Sequence, residues 1–163
     1  MAEPIVERIA QWLLAALQQV TTANGYHQTL RVSRPLEPDP PAGSFEDLSA
    51  VLEMGDRSAA SPPTLTHRHW RQTFFVAVYL LGRDAGGVCV DQRINRVVAD
   101  IEKRIGVEIA AQPGSDKMAG GLAFRLHAAE PEIWIDRARQ ATVVLVPIEA
   151  DYKVKVTDPY SQS

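Results

Sequence analysis

The sequence predicts an α+β fold, an α/β two-layer arrangement in which a mixed, mostly antiparallel sheet carries two main helices packed on one face. Three observations carry that expectation. Two stretches, Ile5 to Val20 and Val90 to Ile105, repeat their apolar residues at helical spacing. Several shorter stretches alternate apolar and polar residues with the period of a strand. One stretch, His69 to Leu81, is apolar on both parities, as a strand in the middle of a sheet is.

Taken in order, Ile5, Ile9, Leu13, Ala16, Leu17 and Val20 form the stripe of a first helix, with Pro4 suited to its first turn. Thr21-Thr-Ala-Asn-Gly25 ends it, because Asn24 and Gly25 tolerate the left-handed conformation that closes a helix. Leu30 and Val32 alternate with Arg31 and Ser33 in a short strand. Four prolines, Pro35, Pro38, Pro40 and Pro41, then rule out regular structure in a loop over about residues 34–47. Leu48, Ala50, Leu52 and Met54 share one parity and predict a half-buried strand. Residues 55–67, with two prolines and no apolar period, read as a second flexible loop.

In the long strand that follows, Trp70, Phe74, Val76, Val78 and Leu80 face one way and Phe75, Ala77, Tyr79 and Leu81 the other, so both faces are expected to be covered. Val90, Ile94, Val97, Val98, Ile101 and Ile105 make the stripe of a second helix that Gly106 is expected to end. Gly86-Gly87 precede it, and Asp84 and Asp91 are its candidate caps. Residues 112–121 read as a third loop, Leu122, Phe124 and Leu126 as an alternating strand, and Ile133-Trp-Ile135 as a further apolar segment after a turn at Glu130-Pro131. The last strand puts Thr142, Val144, Val146, Ile148, Ala150, Tyr152 and Val154 on its core parity, while Pro147, which has no N–H to donate, belongs at an edge or a bulge. The expected core is the two helices against strands around Leu52, Val76, Phe124 and Val146. No repeat, low-complexity tract or composition shift marks a second domain, so residues 1–163 read as one.

Composition narrows the function classes. A chain of 163 residues with 45% apolar and 23% charged residues can bury one core without disulfide or metal. Cys89 is the single cysteine, which excludes an internal disulfide and fits a reducing compartment. The longest purely apolar run, Phe74 to Leu81, is too short to span a bilayer, and Glu3, Glu7 and Arg8 break the pattern of a secretory signal. A formal charge of −3 argues against a dedicated nucleic-acid binder.

The chain offers little catalytic chemistry. His67 and His69 are two apart on a strand and could chelate, but no cysteine or carboxylate accompanies them, so a polar strand end is the better reading. Cys89 lacks a histidine partner and reads as a buried helical cysteine. Gly114 to Gly120 lacks the Gly-Lys-Ser/Thr ending of a phosphate loop. Glu130, Glu132 and Asp136 read as a solvated strand end, and Asp100, off the apolar stripe, is expected to face solvent. Trp12, Trp70 and Trp134 each fit an apolar face. No catalytic residue, cofactor site or metal site is assigned.

The order of elements, with Thr21 to Tyr26 after the first helix, Phe74-Phe-Val-Ala-Val-Tyr79 in the long strand and Val143-Val-Leu-Val-Pro-Ile-Glu-Ala-Asp-Tyr152 in the last, resembles the tail terminator proteins of long-tailed bacteriophages, the minor tail protein U type. The resemblance is one of pattern over nearly the whole chain. It implies a structural subunit, not an enzyme, that forms a ring of itself, usually of six, on the end of the tail tube. Such a ring stops tube growth and presents a docking surface to the head-neck connector protein. The implied partners are other copies, the tail tube protein, the connector and DNA as it passes through the ring. The implied location is the virion tail, and the host cytoplasm during assembly. Candidate interface residues are Arg57, His67, His69, Trp70, Asp116, Lys117 and Pro147. Another head-to-tail connector or neck ring subunit shares the same pattern. From a different class, the rival is a small ligand-binding or hydrolytic domain with a site around His67, His69, Asp116 and Lys117.

Overall fold

A computed structural model of the chain describes residues 3–35, 46–82, 87–111 and 118–161. Their elements are α1 (Ile5–Leu17), β1 (Arg31–Ser33), β2 (Ser49–Ser61), β3 (His67–Leu81), α2 (Val90–Ala111), the single turn α3 (Met118–Gly121), β4 (Arg125–Ala128), β5 (Glu132–Asp136) and β6 (Ala141–Lys155). The six strands form one sheet in the order β1-β2-β3-β6-β4, with β5 also on β6. Only the β1–β2 pair is parallel. The fold is the α+β class that the patterns predict.

The spine is the β3–β6 ladder, paired from His67↔Lys155 to Leu81↔Ala141. At about 3.3 Å per residue it is roughly 50 Å long. The helices cover one face of its upper part. Ile5, Ile9, Leu13 and Leu17 of α1 and Ile94, Val97, Ile101 and Ile105 of α2 share one buried cluster with Leu52, Val76, Val146 and Ile148. Burying such side chains stabilises by about 1.5–3 kcal/mol each, which is why the apolar stripes locate both helices. The α1 stop also follows its sequence. Thr21 Oγ1 accepts from Asn24 N–H at 3.3 Å, and Gly25, at φ 80°, turns the chain in a conformation that a side chain would oppose.

Several expectations need correction. β2 does not stop at Met54 but runs to Ser61, so most of the predicted 55–67 loop is strand, and only 62–66 connect it to β3. The sequence signal fails because the register shifts between Met54 and Arg57, a bulge that breaks the alternation. There Phe75 lies across Gly55 so closely that a Cβ would overlap its ring. The buried Gln72 side chain fastens the bulge by donating to the Gly55 carbonyl at 2.7 Å. Gly106 does not end α2, which continues to Ala111 while Ile109 packs on the core. One interior glycine costs a helix about 1 kcal/mol, less than that packing returns. Phe124 lies outside β4 and is half-buried beside the His69 ring, and Leu126 takes the core position instead.

Asp100 is 1% exposed rather than solvated. Its carboxylate accepts from the His27 N–H at 3.0 Å and the Gln28 N–H at 2.9 Å, tying α2 to the segment between α1 and β1. Gln28 completes the tie by donating to the Arg93 carbonyl at 3.0 Å. Cys89 is exposed just before α2, not buried within it. Of the predicted caps, Asp91 sits in the first turn of α2, whereas Asp84 and Gly86 lie outside the described residues, as do 36–45 and 112–117 of the predicted loops. The end of the third loop, Met118 to Gly121, is a turn with Ala119 and Gly120 left-handed. Pro147 lies in a central strand, opposite Phe75. Its carbonyl accepts from Ala129 N–H at 2.8 Å, so its nitrogen faces the interruption between β4 and β5, where no ladder bond is asked of it.

The sheet face away from the helices has no second layer among the described residues. Phe75, Tyr79, Leu145 and Pro147 cover one another there and stay half-buried, while Val143 beneath them is 1% exposed. No described helix is long and apolar enough to cross a membrane.

Candidate interaction surface

The lower end of the β2–β3–β6 sheet, where α1 begins, gathers two of the sequence-predicted interface residues on its helix face. Arg57 of β2 stacks on the Trp70 ring of β3, with its guanidinium carbon 4.6 Å from the ring centroid. Trp70 pairs across the ladder with Tyr152, which is 1% exposed. Burial pushes the Tyr152 phenol above its ordinary value of 10.0, and the Arg57 guanidinium beside it partly offsets this by favouring the phenolate.

These three residues line a cavity of about 270 Å³, together with Arg68, Lys155, Ile5, Val154 and Val156, at the N-terminal end of α1. Among the described residues its lining contains three cations and no acid. Among the described residues neither Arg68 nor Lys155 meets a carboxylate, so the cavity holds positive charge over an apolar and aromatic floor in a chain that is negative overall.

His67 and His69 belong to the other face of β3, because alternate strand residues point to opposite sides. Each uses its Nδ1 on a hydroxyl: His69 with Ser61 Oγ at 2.9 Å and His67 with Thr66 Oγ1 at 2.8 Å. Leu65, between β2 and β3, is fully exposed beside them. No group of three His, Cys, Asp or Glu among the described residues is placed to hold a metal ion. Higher on the same face, Arg71 grips Asp151 with two hydrogen bonds of 2.7 and 2.9 Å and reaches Glu149 at 3.4 Å. The hydrogen bonds to Asp151, more than its charge alone, raise the Arg71 pKa. Pro147 lies roughly 25 Å up the strand from Lys155, apart from this group. Asp116 and Lys117 lie outside the described residues.

A second surface escaped sequence reasoning. β5 is an edge strand, paired only with β6 among the described residues, and it exposes Ile133 by 52%, Trp134 by 43% and Ile135 by 72%. Trp134, expected on an apolar face, therefore meets solvent. Exposed Glu130 and Glu132 precede the apolar run. Asp136 closes the strand and is engaged by Arg139, whose guanidinium donates at 2.7 Å and whose backbone N–H donates at 3.0 Å, which holds the carboxyl below its ordinary range. The available signal was three consecutive large apolar residues between acids, a pattern that fits neither a half-buried strand nor a loop.

The strand order puts β5 at one lateral edge of the sheet and β2 near the other. β1 covers only Ser49 to Val51 of β2, and no described strand pairs with the outer edge from Leu52 to Ser61. Comparison with protein-family models and with curated proteins finds no match to this chain.

Proposed function

We propose that this chain is a structural ring subunit of the tail terminator kind, which caps a phage tail tube, ends its polymerisation and gives the head-neck connector a place to dock. The observation that carries the reading is the pair of unlike open surfaces on one sheet: the acidic, apolar β5 edge on one side and the basic, aromatic end around Arg57 and Trp70 toward the other. A closed ring of identical subunits is a head-to-tail contact, and it needs two different patches that complement each other on every copy. The order of elements adds the family resemblance, with a ring of six, the virion tail as location, and DNA passing through the ring. In this reading the chain has no catalytic role, cofactor or metal.

The test adds the purified protein to its own tail-tube subunits and measures tube length by electron microscopy. Tubes of limited length with ring density at one end are expected. Tubes of unlimited length with bare ends would sink the reading. Rings that bind a finished tail or a head portal without affecting tube length would instead make it a neck connector. A monomer in dilute solution is compatible with the proposal, because a tube end holds neighbours at high effective concentration.

A further inference from the structure

We propose that β5 of one copy adds as an extra strand to the open β2 edge of a second copy, with its glutamates against the Arg57 end. The place of this contact in a ring rests on the terminator reading, whereas its existence can be tested alone.

An edge strand presents unpaired N–H and C=O groups to any chain that can complete the ladder. Folded proteins blunt such edges with lysine, proline or cover. β5 has none of these within it, and instead exposes Ile133, Trp134 and Ile135 in succession. A tryptophan among aliphatic neighbours is the composition of an interface anchor. The free stretch of β2 has complementary features. Ser58, Ala59, Ala60 and Ser61 are small enough to let another backbone approach, and Met54, 48% exposed, offers apolar surface beside them.

Charge selects this partner. Glu130 and Glu132 have no cationic partner among the described residues. The cavity to which β2 contributes Arg57 is lined also by Arg68 of β3 and Lys155 of β6, with no acid among the described residues. The glutamates therefore fit the Arg57 end of the edge and not its other end, where Glu53 and Asp56 are exposed. Opposite charges across such a contact set register and exclude wrong partners more than they add affinity. The symmetric alternative, β5 against β5 in antiparallel register about Trp134, would set Glu132 against Asp136 of the other copy, and like charges directly opposite destabilise a strand pair. The remaining strand at this edge of the sheet, β1, is blunted by the Gln18 side chain, which donates to the Val32 carbonyl at 3.3 Å.

The experiment places cysteines at Ala59 and Ile133, both exposed, in a Cys89→Ser background that removes the native thiol. The concentrated protein is treated with a short bismaleimide and resolved under denaturing conditions. A head-to-tail contact gives a ladder of dimers, trimers and higher species, because every copy carries both partners. Dimers alone would mean a symmetric contact, and monomers alone would mean none; either overturns the proposal. Glu132→Arg or Arg57→Glu alone should reduce the ladder by about tenfold, and both together in one chain should restore it, with circular dichroism confirming that each variant is folded. Failure of the two readings is distinguishable. A ladder with no effect on tube length keeps the contact and removes the terminator role, while capped tubes without a ladder keep the role and remove this contact.

Discussion

At the Val76 end of the β3–β6 ladder both helices press on the sheet, and Val76, Val146 and Phe74 are fully buried. At the His67 end the same two strands continue with unbroken pairing, yet Arg57, Ser58 and Ala59 on the adjoining β2 are exposed and cations line a cavity with an aromatic floor. The β3–β6 pairing is continuous at both ends, so it does not distinguish them. What differs is the apolar area removed from water. Packing dominates the upper end, while at the lower end the core narrows to Ile5, Tyr152 and Val154 and the side chains of β2 stay free for other contacts. One continuous sheet can thus serve as core at one end and as interaction surface at the other.

Val76→Asp against Ser58→Asp measures that contrast most directly. An aspartate at position 76 would be buried without a partner, costing about 4 kcal/mol or more, a large share of the total stability of a domain. At exposed position 58 the same charge should change stability by no more than about 0.5 kcal/mol. Urea unfolding of both variants gives the comparison; equal midpoints would mean that the helices do not cover Val76.

A smaller effect tests how the helix layer is fixed to the sheet. Asp100→Ala removes the acceptor of the His27 and Gln28 N–H groups. Because His27 is exposed and its N–H can turn to water, the loss should be about 2 kcal/mol. Asp100→Asn, which keeps one acceptor oxygen, should lose about half of that. Hydrogen exchange should then quicken at Gln28 while the β3 amides stay protected, since the tie lies at the upper edge of the core and not within the ladder.

These residues also show what sequence can carry. Apolar periodicity is a record of burial, so it located α1, α2 and the upper halves of β2, β3 and β6, where one face meets the helices. It failed where burial and secondary structure part company. From Arg57 to Ala59 β2 is exposed, and the Gly55 bulge shifts its parity, so strand there looks like loop. The role of Asp100 depends on N–H groups 72 and 73 residues away in the chain, and no local pattern encodes that meeting. Arg57 and Trp70 were named separately as interface candidates, but their stacking, and the company of Arg68, Lys155 and Tyr152, exist only once the strands are in register. β5 was missed for the opposite reason. Ile133 to Ile135 read only as an apolar segment, with Trp134 on an apolar face, when all three are in fact exposed.

The smallest effect concerns the boundary between the two ends, where Tyr152 is buried next to Arg57. Burial disfavours the phenolate and raises the pKa of the folded protein, so the native state keeps its proton where the unfolded chain has lost it. The sign follows from proton linkage: the stability is fully present below the unfolded value of 10.0 and declines as pH rises from there through the folded pKa. Alkaline titration followed by ultraviolet absorbance should show a late tyrosine step above 10.0, and Tyr152→Phe should remove it. In the same titration Arg57→Ala should move the late step upward, because the cation that favours the phenolate is gone while the burial remains. If Arg57→Ala left the step where it was, the guanidinium would not be held over the Trp70–Tyr152 pair in solution, and the basic cavity would lose the residue that joins it to the β2 edge.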